Sequence, residues 1–329
     1  MSQEITARAS VPRELRLADW GVRMALKDLV SLGMVLPHRS PDPLSIDDVR
    51  QTAQRAEALG FADLWVTENT LDHAYSLDPV VALTYAAAVT TRIRVGVSVL
   101  VLPLHHPVYV AHQMASLDFT SGGRAILGLG IGGAAHYHDF GIPTERRVRR
   151  FSEGIDVIRA LWRDDTTEYH GQVIDQPRTG FRLKPVQAPG PPIWLGGAAP
   201  AALERAARIG DAWMGSGNSS VTAFGGHLRD VRAALEREGR DPANFPTSKR
   251  IFMSVHEDAS VARTELLRWF TEVYRNADAL EASGVYGTPD QVRERLEEIA
   301  ALGPTHLLLN PVTRFTEQVE ALAEVAGLK

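Results

Sequence analysis

From Leu32 onward the chain alternates short apolar runs with segments whose apolar residues recur every three or four positions. The run LGMVLP closes at Pro37. It is followed by SIDDVRQTAQRAEALG, where Ile46, Val49, Ala53, Ala56 and Leu59 fall at helical spacing. Ser45 supplies an N-cap there and Gly60 a helix stop. ADLWVT then reads as a strand, residues 78–89 as a helix, RIRVGVSVLVLP as a longer strand, PVYVAHQMASLDF as a helix and RAILGLG as a strand. RRFSEGIDVIRALW is a helix with Phe151, Ile155, Ile158 and Leu161 on one face. The second half repeats the alternation: PIWLGG, AALERAARIG, DAWMGS, a polar helix over residues 228–238, RIFMSV, a long helix from Val261, TPDQVRERLEEIAALG, THLLLNP and a last helix. Gly60, Gly210 and Gly303 each stand between a helix and the next strand, the place of a left-handed glycine in a short αβ turn.

About eight strand–helix units are what a closed parallel barrel needs, so the pattern predicts an α/β fold, a (β/α)8 TIM barrel with insertions. No proline- or serine-rich linker divides the chain. The expected organisation is an N-terminal extension over residues 1–30 and a single barrel domain over residues 31–329. The largest insertion, residues 164–192, delays the fifth strand.

Inside RAILGLGIGG, Gly128-x-Gly130-x-x-Gly133 has the spacing of a dinucleotide-binding fingerprint. Such a fingerprint opens a helix and is followed by an acid on the next strand. Here AAHYHDFGIP follows, with Gly141 and Pro143 set against a helix, and Glu153 and Asp156 fall within an amphipathic helix. The glycines therefore read as a loop at the mouth of the barrel, bare enough for close approach by a phosphate or an aromatic ring.

Composition narrows the picture by exclusion. The 329 residues carry a net charge of −5 without a basic block, which argues against nucleic acid and anionic membrane as partners. No apolar run approaches the roughly 20 residues that span a bilayer. The absence of cysteine excludes disulfides, thiolate nucleophiles and zinc–cysteine sites, and fits a cytoplasmic setting. No paired carboxylates, His-Glu-x-x-His run or Ser-His-Asp set stands out, so no metal site is expected.

HPVYVAHQMASLDFTSGGRAILGLGIGG, continued by HYHDFGIP, resembles the bacterial luciferase-like monooxygenase superfamily, as do GFADLWVTEN, IWLGGAAPAALERAARIGDAW and YGTPDQVRERLEEIAALG. The resemblance covers residues 32–311. It implies a (β/α)8 barrel binding FMN or the deazaflavin coenzyme F-420, with the ring at the carboxyl-end mouth and the phosphate near loops after later strands. It also implies a non-proline cis peptide at a bulge in the third strand, where Ser98 and Val99 stand.

The resemblance makes Glu68, Asn69 and His136 the candidate catalytic residues. The family usually carries an acid and then a histidine where Glu68 and Asn69 stand. Asparagine donates and accepts hydrogen bonds but exchanges no proton near neutrality. The family often has an acid at the place of His136, whose imidazole titrates near physiological pH. The cofactor-binding candidates are Ser98, Val99, Gly130, Gly132, Gly133, Tyr137, Gly196, Gly197 and Ala198. The last three precede a helix with Pro200 in its first turn, which aims backbone N–H groups and a helix dipole at one spot, as a phosphate requires. His105 and His106 are candidate substrate contacts, and Trp65, Trp194 and Trp213 read as barrel filling.

The expected activity is hydride transfer through coenzyme F-420 to or from a small organic substrate. Arg146, Arg147, Arg149 and Arg150 could meet the carboxylates of its tail. The alternatives are an FMN-dependent monooxygenase served by a separate flavin reductase, a non-catalytic flavin-binding barrel, and a (β/α)8 enzyme acting on a sugar phosphate. A homodimer is expected by analogy with the family.

Overall fold

The structure, a computed structural model, describes residues 24–328. Most of the extension expected over residues 1–30 therefore lies outside the described residues. Its last part packs on the barrel through the buried Leu26 and Val30.

Eight strands, β1 (Ser31–Val35), β2 (Asp63–Val66), β3 (Arg94–Val101), β4 (Ala125–Gly130), β5 (Ile193–Gly196), β6 (Ala212–Gly215), β7 (Thr247–Val255) and β8 (His306–Pro311), pair in chain order, all parallel. β6 pairs with β7 at Trp213 and Thr247, and β8 returns to β1 at His306 and Ser31, so the ring is closed. The expected TIM barrel is what forms. Its outer layer is α1 (Ile46–Leu59), α2 (Pro79–Ala88), α3 (Pro107–Ser121), α4 (Arg147–Arg163), α5 (Pro200–Ile209), α6 (Val221–Arg237), α7 (Ala259–Glu272), α8 (Pro289–Ala301) and α9 (Phe315–Ala326). Caps set several of these starts. Ser45 accepts from the Asp48 N–H, Asp78 from Val81, and Thr288 and Gln291 form a reciprocal capping box.

The inside and outside of the barrel follow the two-residue period of its strands. Val35, Trp65, Ile126, Trp194, Ala212, Met214 and Leu308 fill the interior. Trp213 was expected to join them. It points outward instead, stacked on Phe224 of α6 at 5.5 Å, because its neighbours Ala212 and Met214 take the inward positions. Gly210 is a second correction. Gly60 and Gly303 are left-handed as expected, with φ of 92° and 88°, but Gly210 is extended. It is glycine because a Cβ would lie 2.7 Å from the Ala206 carbonyl oxygen.

A buried polar cluster lies at the amino-end of the barrel. The Asp63 carboxylate accepts from Trp65 Nε1 (2.5 Å), His306 Nε2 (2.9 Å) and Arg94 Nη2 (2.7 Å), and His306 Nδ1 meets Ser248 Oγ at 2.7 Å. β1 leaves room for it by carrying no side chain at Gly33, where a Cβ would stand 2.8 Å from His306 Nε2 and 2.9 Å from Trp65 Nε1. Gly33→Ala is expected to destabilise the protein by about 1–3 kcal/mol through overpacking, or more where a hydrogen bond of the cluster breaks. Denaturant unfolding checks this, and an unchanged midpoint would show that the cluster has slack.

The segment after β7 adds α7 and a ninth strand, Gly284–Gly287, which pairs with the end of β7 and which apolar periodicity missed. Residues 164–192 form an antiparallel pair, Thr167–His170 with Asp175–Thr179. Its turn is held by the buried Glu153 carboxylate, which accepts from the N–H groups of Gln172, Val173 and Ile174. Among the described residues no helix is long and apolar enough to cross a membrane.

Candidate active site

The carboxyl ends of the strands build the site. In β3 the pairing with β4 shifts between Val97 and Leu100, and the peptide between Ser98 and Val99 is cis, at the position the resemblance implies. The bulge turns Val99 toward β4 and β5, and the glycines opposite are fitted to it. A Cβ on Gly130 would lie 2.5 Å from Val99 Cγ2, one on Gly196 3.0 Å from Val99 Cγ1, and one on Gly128 would collide with the Val97 carbonyl. Part of the glycine fingerprint thus serves the bulge.

A short helix, Ala134–Asp139, follows these glycines, contrary to the sequence reading that Gly141 and Pro143 would prevent one. It ends before the left-handed Gly141 and is tied down by the buried Tyr137, whose hydroxyl donates to the Ile131 carbonyl at 2.5 Å. Tyr137 thereby fixes the glycine loop from behind. The His136 side chain lies outside the described residues.

Gly197 continues from β5 with φ of 155°, its carbonyl accepting from Trp213 Nε1 at 2.9 Å. A Cβ there would lie 2.6 Å from that of Ala202, so the loop lies close on the first turn of α5. The N–H groups of Ala198 and Ala199 have no acceptor among the described residues and stand at the positive end of the helix dipole. The loop after β6 is held by Lys249, which donates from Nζ to the Ser216 and Ser219 carbonyls and to Ser219 Oγ at 2.7–2.8 Å. Burial, with Arg250 adding to it, pushes the Lys249 amine down to about 7.

These parts enclose one cavity of about 450 Å³. Seven of the expected residues line it: Ser98, Val99, Gly130, Gly132, Gly196, Gly197 and Ala198. Sequence reading missed Arg205, Arg250 and the Ser216–Asn218 loop, which complete the wall. Neither arginine has a carboxylate partner among the described residues. Arg205 packs over Phe151, and Arg250 lies over Phe252 at 4.6 Å with its Nε on Asn310 Oδ1 at 2.9 Å. Burial lowers both, with Arg208 adding to the effect on Arg205 and Arg39 to that on Arg250, which is pushed to about 10. Both are cations at neutral pH. A larger cleft of about 630 Å³ lies at the other end of the barrel, around Trp162, Pro189 and Asp211, away from the strand ends that form the mouth.

The other expected residues stand apart from that wall. Gly133 is exposed beyond it. Glu68 is committed to structure, accepting from the Val101 N–H at 2.6 Å and meeting His105 Nε2 at 2.5 Å. Asn69 donates to Thr67 Oγ1. His106 is exposed and caps α3 by accepting from the Val108 N–H. His38, which the sequence reading passed over, is buried beside Asn69, with Nδ1 on the Leu36 carbonyl and Nε2 accepting from the Thr67 N–H. Burial pushes its pKa to about 3; the Leu36 bond opposes this, and Arg250 and Arg39 add to it. It is a neutral, fixed ring.

A family model described as luciferase-like monooxygenase matches residues 30–306. Uncharacterized proteins of Mycobacterium tuberculosis are 42% identical over 133 residues, which is 40% of this chain; the chain spans less than half of their length, 44%. A 5,10-methylenetetrahydromethanopterin reductase of Methanolobus tindarius is 29% identical over 74% of this chain and 69% of its own. An FMNH(2)-dependent dimethylsulfone monooxygenase of Pseudomonas putida is 26% identical over 84% and 85%. Among solved structures, the coenzyme F-420 dependent tetrahydromethanopterin reductase of Methanopyrus kandleri shares the fold with a TM-score of 0.77, at 20% identity over 90% of this chain and 98% of that one.

Proposed function

The chain belongs to the luciferase-like monooxygenase family, and from that premise we propose that it is an oxidoreductase that moves hydride between coenzyme F-420 and a small organic substrate. The carrying observation is the position of Arg205. It lines the glycine-walled cavity and also a neighbouring groove of about 620 Å³ that contains Arg146, Arg149 and Arg208. The acid of that groove, Glu204, already faces Arg237 at 3.7 Å. A ligand with a flat ring, a phosphate and a polycarboxylate tail matches this sequence of surfaces. FMN ends at its phosphate and leaves the groove unused.

The chain's own residues divide the work. The Ser98–Val99 bulge and the glycines opposite make a slot for a ring. The free N–H groups of Ala198 and Ala199, with the Arg205 guanidinium, suit the phosphate. When bound, the deazaflavin supplies two-electron hydride chemistry without oxygen chemistry. His105, held by Glu68, is the side chain assigned to proton transfer with the substrate. Asn69 orients a neighbour and holds no exchangeable proton in this range.

Equilibrium titration with coenzyme F-420, FMN and the tail-less deazaflavin tests the reading. Coenzyme F-420 is expected to bind more tightly than FMN, with a steeper loss on adding salt, because exposed arginines act through screened charge. The double variant R146Q/R208Q is expected to weaken coenzyme F-420 by about tenfold and to leave FMN within about twofold. Tighter binding of FMN would overturn the preference. It would leave the FMN-dependent monooxygenase, supplied by a separate flavin reductase, which the likeness to the dimethylsulfone monooxygenase favours.

We also propose a homodimer through α2 and α3, which pack side by side and present Val81, Tyr109 and Phe119 at 68%, 73% and 59% exposure. Sedimentation of the full chain would show a dimer that Y109E turns into monomer.

A further inference from the structure

The mouth contains a cation that the reading above does not use. Arg250 rises from β7 into the wall of the cavity. Its plane is fixed twice, by the face of Phe252 at 4.6 Å and by the bond from Nε to Asn310 Oδ1. Asn310 is locked in turn, its Nδ2 donating to the Pro311 carbonyl at 2.9 Å. This leaves the two terminal nitrogens of Arg250 with no acceptor among the described residues, on the edge that suits a planar two-oxygen anion.

Among the described residues no carboxylate pairs with Arg250. The charged neighbour is Arg39, whose own guanidinium is satisfied by Asp72 at 2.5 Å and by the Val273 carbonyl at 3.3 Å. The ring nitrogens of His38 are both used by backbone and Thr67. Tyr274, close enough to feel the charges of both arginines, has no hydrogen-bond partner for its hydroxyl among the described residues. Burial pushes its pKa up, while the two arginines pull the other way, and the phenol is a neutral donor at working pH. Behind it stand Phe252, Trp269 and Phe270, packed ring to ring. An unpaired, half-buried cation is a ready partner for a ligand that brings the counter-charge. The phosphate and tail of the proposed cofactor already have their own donors at α5 and along α4.

We propose that Arg250 is the recognition point for a carboxylate on the organic substrate, so that the enzyme acts on an organic acid. This rests on the oxidoreductase reading for the word substrate. The binding site itself can be tested without the cofactor. Asn310 is a positioning residue here.

The test is calorimetric titration of the full-length protein with benzoate, with its neutral amide benzamide, and with inorganic phosphate, all in the absence of cofactor. Benzoate is expected to bind at least about tenfold more tightly than benzamide, the scale of a charged, two-pronged contact. R250M should bring the two within about twofold, and R250K, which keeps the charge and loses the planar fork, should keep a reduced preference. Circular dichroism confirms folding, and R250K serves if R250M is unfolded. A separate titration with coenzyme F-420 should show R250M weakening the cofactor clearly less than it weakens benzoate. Equal binding of benzoate and benzamide to the parent protein overturns the proposal, as does phosphate binding that R250M weakens as much as it weakens benzoate. Equal weakening of benzoate and coenzyme F-420 by R250M also overturns it, and assigns the guanidinium to the cofactor ring. Failure of the protein to bind either cofactor counts against the oxidoreductase reading alone, because benzoate is read without one.

Discussion

Arg205→Gln is expected to weaken coenzyme F-420 and FMN alike, by about 10- to 100-fold, while the unfolding midpoint stays where it is. Both ligands carry the phosphate, so both lose the same charged hydrogen bond, which distinguishes this site from the tail groove, where only the polycarboxylate ligand would suffer. The unchanged stability follows from the surroundings of Arg205. Its guanidinium has no carboxylate to orphan among the described residues and rests over the Phe151 ring at 5.8 Å, near the limit of a useful cation–π contact. Removing a buried cation without a partner relieves desolvation about as much as it costs in packing. Fluorescence titration with each cofactor, beside thermal unfolding, separates the two effects. A drop in the unfolding midpoint with no change in affinity would make Arg205 a structural residue and move the phosphate elsewhere.

That arginine also shows where sequence reading stops. The strands and helices were legible because each has its own period, and the closed ring followed from their count and order. Gly130 and Gly196 stand where a side chain would meet Val99, and Gly132 stands in a left-handed turn, whereas Gly133 faces nothing. The cis peptide position came from a likeness of residues, and the bulge in β3 is where it falls. Arg205 was hidden within AALERAARIG, where it reads as one polar residue of an amphipathic helix, although Leu203, Ala206 and Ala207 around it are buried. Arg250 stands in SKRIFMSV, and two successive cations in a barrel strand were a signal that apolar counting discarded. Their meeting in one wall depends on strands and helices far apart in the chain. The same limit explains Glu68 and His106. Their residue types suit chemistry, but the backbone groups they serve, at Val101 and Val108, are invisible until the loops are placed.

The amino-end of the barrel makes the largest stability prediction. Asp63→Ala is expected to destabilise the fold by about 3–5 kcal/mol, because it leaves the His306 and Arg94 donors beside an empty buried site and strips the Trp65 N–H of its acceptor. Asp63→Asn, which keeps the shape, isolates the charge. Burial disfavours the Asp63 carboxylate, but the charge and hydrogen bond of His306, the charge of Arg94 and the Trp65 N–H outweigh it and hold the pKa at about 2. An unfolded aspartate titrates near 4. The folded value is the lower one, so the stabilisation is complete above about pH 4 and disappears as pH falls through about 2. At neutral pH a shift of that size is linked to roughly 2–3 kcal/mol. Denaturant unfolding of the parent and of D63N across acidic pH should therefore show a stability gap that is widest near neutrality and closes between about pH 4 and 2. Other carboxylates titrate in the same interval, but they are common to both proteins and cancel in the difference. A gap that stayed constant down to pH 2 would show that Asp63 contributes through shape and hydrogen bonding alone, and that the charge at the bottom of the barrel is incidental to its closure.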